Sequence, residues 1–146
     1  MLNRITIKIY TTIFLILVKI KNQTIMNTQQ VANRLVEMCR KGENMQAIEE
    51  LYADNCVSKE MPGIPREVVS GKSAITQKSQ DWYNSVEEFH SGGVSDPQVA
   101  GNYFTCTMDM DITFKERGRM QMEEVCLYEV NDGKIVSEQF FYAMPS

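Results

Sequence analysis

The sequence predicts one α+β domain, with helices gathered first and antiparallel strands after them. Two observations carry this. From Met26 onward, three stretches with helical apolar spacing precede the long strands, and Tyr103 to Val130 then alternates apolar and polar with a period of two. A run of helices followed by a run of strands points to α+β architecture and away from a parallel α/β sheet. With 146 residues, 43% of them hydrophobic, the chain can bury one core, so a single site is expected.

The first helix is expected over Gln29 to Lys41, where Val31, Leu35, Met38 and Cys39 form one apolar stripe. Gly42 ends it, and Arg40 and Lys41 sit in the last turn, where cations suit the helix dipole. Asn44 is expected to cap a second helix that repeats the stripe with Ala47, Ile48, Leu51 and Tyr52. A short strand over Cys56 to Met61 is closed by Pro62, Gly63 and Pro65. The third helix starts near Gly71 and carries Ala74, Ile75, Lys78 and Trp82 on one side. Gly71, Lys72 and Ser73 invite comparison with a phosphate-binding loop, but the glycine such a loop needs five residues earlier is Arg66.

The strands follow as a meander of four. Val86 to Val99 is the least regular, broken by Gly92, Gly93 and Pro97, and Gly101 with Asn102 makes the turn. Tyr103 to Phe114 puts Phe104, Cys106, Met108, Met110, Ile112 and Phe114 on one face and threonines and aspartates on the other. Arg119 to Val130 places Met120, Met122, Glu124, Cys126, Tyr128 and Val130 together. The turn Asn131-Asp132-Gly133 leads into a last strand over Lys134 to Tyr142.

Composition narrows the function classes. The first 25 residues hold Arg4, Lys8, Lys19 and Lys21 and no acid, so the rest of the chain is strongly acidic within a net charge of −4. No clustered basic face is present, and Lys115, Arg117 and Arg119 around Gly118 read as a hairpin turn, so a nucleic-acid partner is not expected. Cys39, Cys56, Cys106 and Cys126 are widely spaced and His90 is the only histidine, a poor set for zinc. Separate buried cysteines suit a reducing cytosol, which makes a cytoplasmic location the expectation.

Residues 1–25 carry an apolar stretch of ten, IYTTIFLILV, between basic flanks. A spanning helix needs about 17 to 25 residues. The segment reads as translated sequence upstream of a start at Met26, as an uncleaved anchor, or as an export signal without a clear cleavage site. In each case the domain is expected over 26–146, with no membrane partner unless the segment acts as an anchor or signal.

The two opening helices, the segment ELYADNCVSKEMPG, the helix start GKSAI, the long-stranded meander and the ending YEVNDGKIVSEQFFY together resemble a SnoaL-like domain of the nuclear transport factor 2-like superfamily. The resemblance covers nearly all of Met26 to Ser146. It implies a cone in which three helices pack on a strongly curved, mainly antiparallel sheet around an apolar pocket. It also implies a homodimer through the outer face of the sheet. Members include isomerases, cyclases, dehydratases, hydrolases and proteins without catalysis, so the fold leaves the function open.

Glu60, His90 and Glu124 are the candidate catalytic residues. Glu60 falls where the related ketosteroid isomerases place an aspartate general base, and a carboxylate in an apolar cone has its pKa raised toward working pH. The rest of that constellation departs from the pattern: the tyrosine of the first helix is matched by Leu35 or Val36, and the protonated aspartate of a later strand by Cys126. Glu124 interrupts an apolar strand face, and a carboxylate there is expensive unless paired or protonated. A twist or bulge would instead turn Glu123 inward. His90 titrates near neutrality when unperturbed and would form a base-and-orienter pair with either glutamate.

Trp82, Tyr83, Tyr128, Phe140 and Tyr142 are candidate pocket walls and hydroxyl donors, and Met108, Met110, Met120 and Met122 a pliable lining. Cys126 is placed in the lining too. As a nucleophile with His90 it lacks a third, orienting group. Two functions are thus expected: binding of a small hydrophobic molecule, or proton transfer on an apolar carbonyl compound by a pocket carboxylate. Neither calls for a metal or cofactor.

Overall fold

The computed structural model describes Ile9 and residues 25–143. The expectations for residues 1–25 lie, but for Ile9 and Ile25, outside the described residues. Three helices, α1 (Thr28–Arg40), α2 (Asn44–Leu51) and α3 (Lys72–Ser85), pack on one side of a seven-stranded sheet. The strands are β1 (Tyr52–Lys59), β2 (Val68–Ser70), β3 (Val86–Val94), β4 (Gln98–Ala100), β5 (Tyr103–Phe114), β6 (Gly118–Asn131) and β7 (Lys134–Tyr142).

Asn27 caps α1 in a full capping box. Its side chain accepts from the Gln30 backbone while the Gln30 side chain accepts from the Asn27 backbone, both at 2.9 Å. Gly42 stops the helix at φ +73, a conformation glycine adopts without strain. The cap expected of Asn44 is not made: Glu43 holds the N-cap position of α2 without a side-chain bond, and Asn44 is already helical. The helix instead draws on Ala47, Ile48 and Leu51, all buried. The third helix buries only Ile75 of its expected stripe, because Ala74 faces solvent.

The order β2-β1-β7-β6-β5-β3, with β4 on β5, makes the sheet mainly antiparallel. The expected meander is β3, β5, β6 and β7, with β4 split off after Pro97. The strand from the helical half begins at Tyr52, earlier than its expected start at Cys56, and joins parallel to β7. Register shifts in β1/β7, β3/β5 and β6/β7 curl the sheet without closing it. Asp132 (φ +48) and Gly133 (φ +73) turn the β6–β7 hairpin, both with positive φ as a tight hairpin requires.

The even-numbered faces of β5 and β6 turn toward the helices. Phe104, Cys106, Cys126, Tyr128 and Val130 meet Val31, Leu35 and Met38 of α1, Ala47, Ile48 and Leu51 of α2, and Ile75 of α3 in one core. Phe104 stacks on Tyr128 with ring centroids 4.7 Å apart. The outer face of β6 and β7 presents Val125, Leu127 and Phe141 to solvent.

Candidate functional site

Packing covers one end of the concave sheet and leaves the other end open. There α2, α3 and the Met61–Arg66 segment stand off from β5, β6 and β7 around a wide-mouthed, open cleft. Met108, Met110, Met120 and Met122 line it, with Trp82 and Tyr83 from α3 and Phe140 from β7. Its base is polar.

Three strands and one helix build that base. On β1 the inward residues are Cys56 and Ser58, and the chain leaves the strand at Glu60, which keeps the same side. On β6 Glu124 continues the inward series of Met120 and Met122, lying in register with Met108 on one side and Tyr142 on the other. On β7 Ile135 points in, and the shift between Glu129 and Val130 leaves Val136 unpaired, so that the inward series beyond it is Glu138, Phe140 and Tyr142. From α3, one turn beyond Ala74, Lys78 reaches across.

These groups form one network. The Lys78 ammonium lies 2.5 Å from Glu60 Oε1 and donates to Ser58 Oγ at 3.0 Å. The Tyr142 hydroxyl donates to Glu60 Oε2 at 3.0 Å. Beneath them Glu138, only 4% exposed, takes a hydrogen bond from the Tyr52 hydroxyl and has Ser58 as a second polar neighbour. Lys78 also sits 5.4 Å above the Phe140 ring. Glu124 stands beside this network with one weak donor, the Cys126 thiol at 3.7 Å.

Electrostatics separates the carboxylates. Burial, and after it the negative charge of Glu60, pushes Glu124 from an ordinary glutamate up to about 7, against a smaller opposing effect of the Cys126 thiol. Burial also raises Glu138, while its polar neighbour Ser58, the hydrogen bond from Tyr52 and the nearby Lys78 charge pull the other way. The Tyr142 phenol is pushed up to about 12 by burial and by Glu60, so it stays a proton donor. Glu124, which borders the cleft, is therefore poised to exchange a proton near neutral pH.

The structure brings Glu60 and Glu124 together and leaves His90 out. His90 lies on the outer face of β3, its Nε2 2.7 Å from Thr113 Oγ1 and its Nδ1 3.7 Å from Glu88. The reason is register: Glu88 pairs with Thr113, and the shift between Phe89 and Ser91 carries His90 onto the same polar side. The expected pairing of His90 with Glu60 or Glu124 is not made. Glu124, not Glu123, turns inward, since Glu123 is exposed opposite Asp109.

Trp82, Tyr83, Met108, Met110, Met122, Tyr128 and Phe140 all border the cleft, whereas Cys126 is fully buried behind Glu124. Its thiol is raised by its hydrogen bond with Cys106 and by burial, which opposes a thiolate nucleophile. Leu35 and Val36, at the place of the family's tyrosine, are both buried apolar side chains.

Lys78, Ser58, Tyr52 and Glu138 received no role from the sequence. Lys78 lay within an apolar stripe, which was the available signal. Glu138 shares its parity with Phe140 and Tyr142, but only the register shift reveals that this parity faces inward.

The family model for the SnoaL-like domain matches residues 26–142. The chain belongs to the SnoaL-like domain family, within the nuclear transport factor 2-like fold. Among solved structures it is similar to a Mesorhizobium loti protein provisionally named a SnoaL-like polyketide cyclase, with carbohydrate phosphatase given beside that name. The two are 39% identical over 80% of this chain and 100% of the other, with a TM-score of 0.75. A Xanthomonas campestris protein of unknown function with a cystatin-like fold shares 17% identity over 82% of this chain and 92% of its own, at a TM-score of 0.69. A Bacillus subtilis protein provisionally named an isomerase shares 20% identity over 81% of this chain and 90% of its own, at a TM-score of 0.60. These last two likenesses are of fold. No curated protein matches the sequence.

Proposed function

We propose that the cleft binds a small molecule with an apolar body and a carbonyl group, and that Glu124 moves a proton on it without a cofactor, as isomerases and cyclases do. One observation carries this reading. Glu124 is turned into a methionine-lined hollow with only a thiol for a donor, while Glu60 beside it already holds both Lys78 and Tyr142.

The chemistry follows from that arrangement. The Glu124 carboxylate takes a proton from the carbon next to the carbonyl; the C–H electron pair becomes a C=C bond and the carbonyl π pair moves onto oxygen. Returning the proton to another carbon completes an isomerisation; in a cyclisation the enolate carbon instead attacks a second carbonyl of the same molecule, whose π pair moves onto its oxygen, and that oxygen takes the proton back from Glu124. A general base of this kind works best with a pKa near the operating pH. The names of the Mesorhizobium loti and Bacillus subtilis proteins support the same class.

A second reading, binding without turnover, draws on the apolar Leu35 and Val36 and on Cys126, which stand where the ketosteroid isomerases carry their oxyanion donors. Deuterium exchange separates the two. Apolar cyclic ketones and diketones are incubated with the protein in D₂O and followed by proton NMR. The wild-type chain is expected to speed exchange next to the carbonyl, and Glu124→Gln to lose about a hundredfold or more of that rate. Exchange no faster than in buffer for every compound, with binding intact, favours the binding-only reading.

A further inference from the structure

We propose that Lys78 is the group that receives the ligand's oxygen, and that buried Glu138 holds it in place through Ser58. The inference rests on the proton-transfer reading and names the electrophile that reading lacks.

An ammonium has three N–H donors in fixed tetrahedral directions. Two are directed by the protein, at Glu60 Oε1 and at Ser58 Oγ. The third has no hydrogen-bond partner among the described residues, and the Phe140 ring, which borders the cleft, lies 5.4 Å from the ammonium. A ligand lying on Phe140 and the methionines would bring its oxygen to that donor. Glu124 stands on the neighbouring strand, in register with Tyr142 two residues beyond Phe140.

Ser58 and Glu138 make this position definite. Ser58 is fully buried and Glu138 is 4% exposed, the two buried polar side chains recorded among the described residues. Ser58 accepts from Lys78 and is a polar neighbour that favours the charged form of Glu138, and Tyr52 donates to the same carboxyl. A lysine carries four rotatable side-chain bonds, so tying its head at two points removes most of its freedom before a ligand arrives. Ser58 does not border the cleft, and Glu138, at its base, is only 4% exposed and already takes the Tyr52 hydroxyl; they are positioning residues.

Charge balance fits as well. When Glu124 takes a proton and an enolate forms, the site's net charge is unchanged. The negative charge moves from the carboxylate to an oxygen beside the one cation of the network. The oxyanion is thereby favoured without an added ion.

The test uses 4-nitrophenol, whose absorbance distinguishes phenol from phenolate, as a planar stand-in for the enolate. Glu124→Gln reproduces the protonated base and serves as the reference. It is expected to bind the phenolate in preference to the phenol, seen as a lowered pKa of the bound probe. Adding Lys78→Met should weaken phenolate binding about tenfold or more, with phenol binding little changed. Ser58→Ala keeps the Glu60 pair and guards against a Lys78 variant that fails to fold; it should reduce the phenolate preference by about twofold to tenfold. Glu138→Gln should move the preference in the same direction. No preference in the reference protein, or a preference that survives both Lys78→Met and Ser58→Ala, overturns the assignment and leaves Glu124 as base untouched. Lys78-dependent phenolate binding in a protein that exchanges no deuterium overturns the catalytic reading and keeps the oxyanion site.

Discussion

Lys78 Nζ and Glu60 Oε1 meet at 2.5 Å with side-chain exposures of 18% and 14%, which joins α3 to the end of β1 at the base of the cleft. An ion pair this enclosed behaves asymmetrically. Removing one partner leaves the other, half-buried charge without compensation. Lys78→Met is therefore expected to cost about 3 kcal/mol of folding stability, and adding Glu60→Gln should recover much of it. Urea denaturation of the single and double variants checks both; equal loss in each would show that the pair is not the cause.

Glu124 gives stability an unusual pH dependence. Its folded pKa of about 7 lies above the ordinary 4.5, so between those values the folded chain keeps a proton that the unfolded chain has released. Stability from this group is thus full below pH 4.5 and falls until about pH 7, by on the order of 3 kcal/mol. Glu124→Gln should abolish that slope and be the more stable protein at pH 8. Melting curves across the range decide it, and a variant that melts lower than wild type at pH 8 would count against the assignment.

Tyr52 donates to a carboxyl that is almost wholly enclosed. Tyr52→Phe keeps the ring and deletes the donor, so it should cost about 1–3 kcal/mol, the price of leaving a buried acceptor short of a partner. It should also raise Glu138 further, since the Tyr52 bond lowers that group's pKa. Denaturant titration reads the first effect.

Gly92 tests the irregular β3. A Cβ there would come within 2.7 Å of Phe89 Cζ and 2.8 Å of the Asp109 carbonyl oxygen on β5. The ring can swing away but the backbone oxygen cannot, so Gly92→Ala is expected to cost about 1–3 kcal/mol. Unchanged stability would mean that β3 and β5 are less tightly joined than described.

What the sequence revealed and what it hid have distinct physical causes. The inward face of β5 and β6 was legible because strict alternation has one reading once a core side is chosen, and it delivered Glu124 directly. Glu60 was placed by the family resemblance and not by periodicity. His90 stood out by its chemistry alone, because its irregular strand offered no alternation to place it, and a register shift there carries it to the outer face. The same effect concealed Glu138: counting alternately from Ile135 gives Ser137 and Gln139 as inward, and the unpaired Val136 reverses that. Lys78 was visible among apolar neighbours, yet nothing local could say that a carboxylate from β1 and a serine two residues before it would converge on its head. Such meetings are set by tertiary packing.

Site-resolved carbon-13 NMR of the Glu124 side-chain carboxyl reaches the heart of the account. The expected titration midpoint is about 7, with the carboxyl protonated in half the molecules at neutral pH. A midpoint at the ordinary glutamate value of 4.5 would mean that Glu124 is well solvated, and proton transfer from this cleft would lose its base.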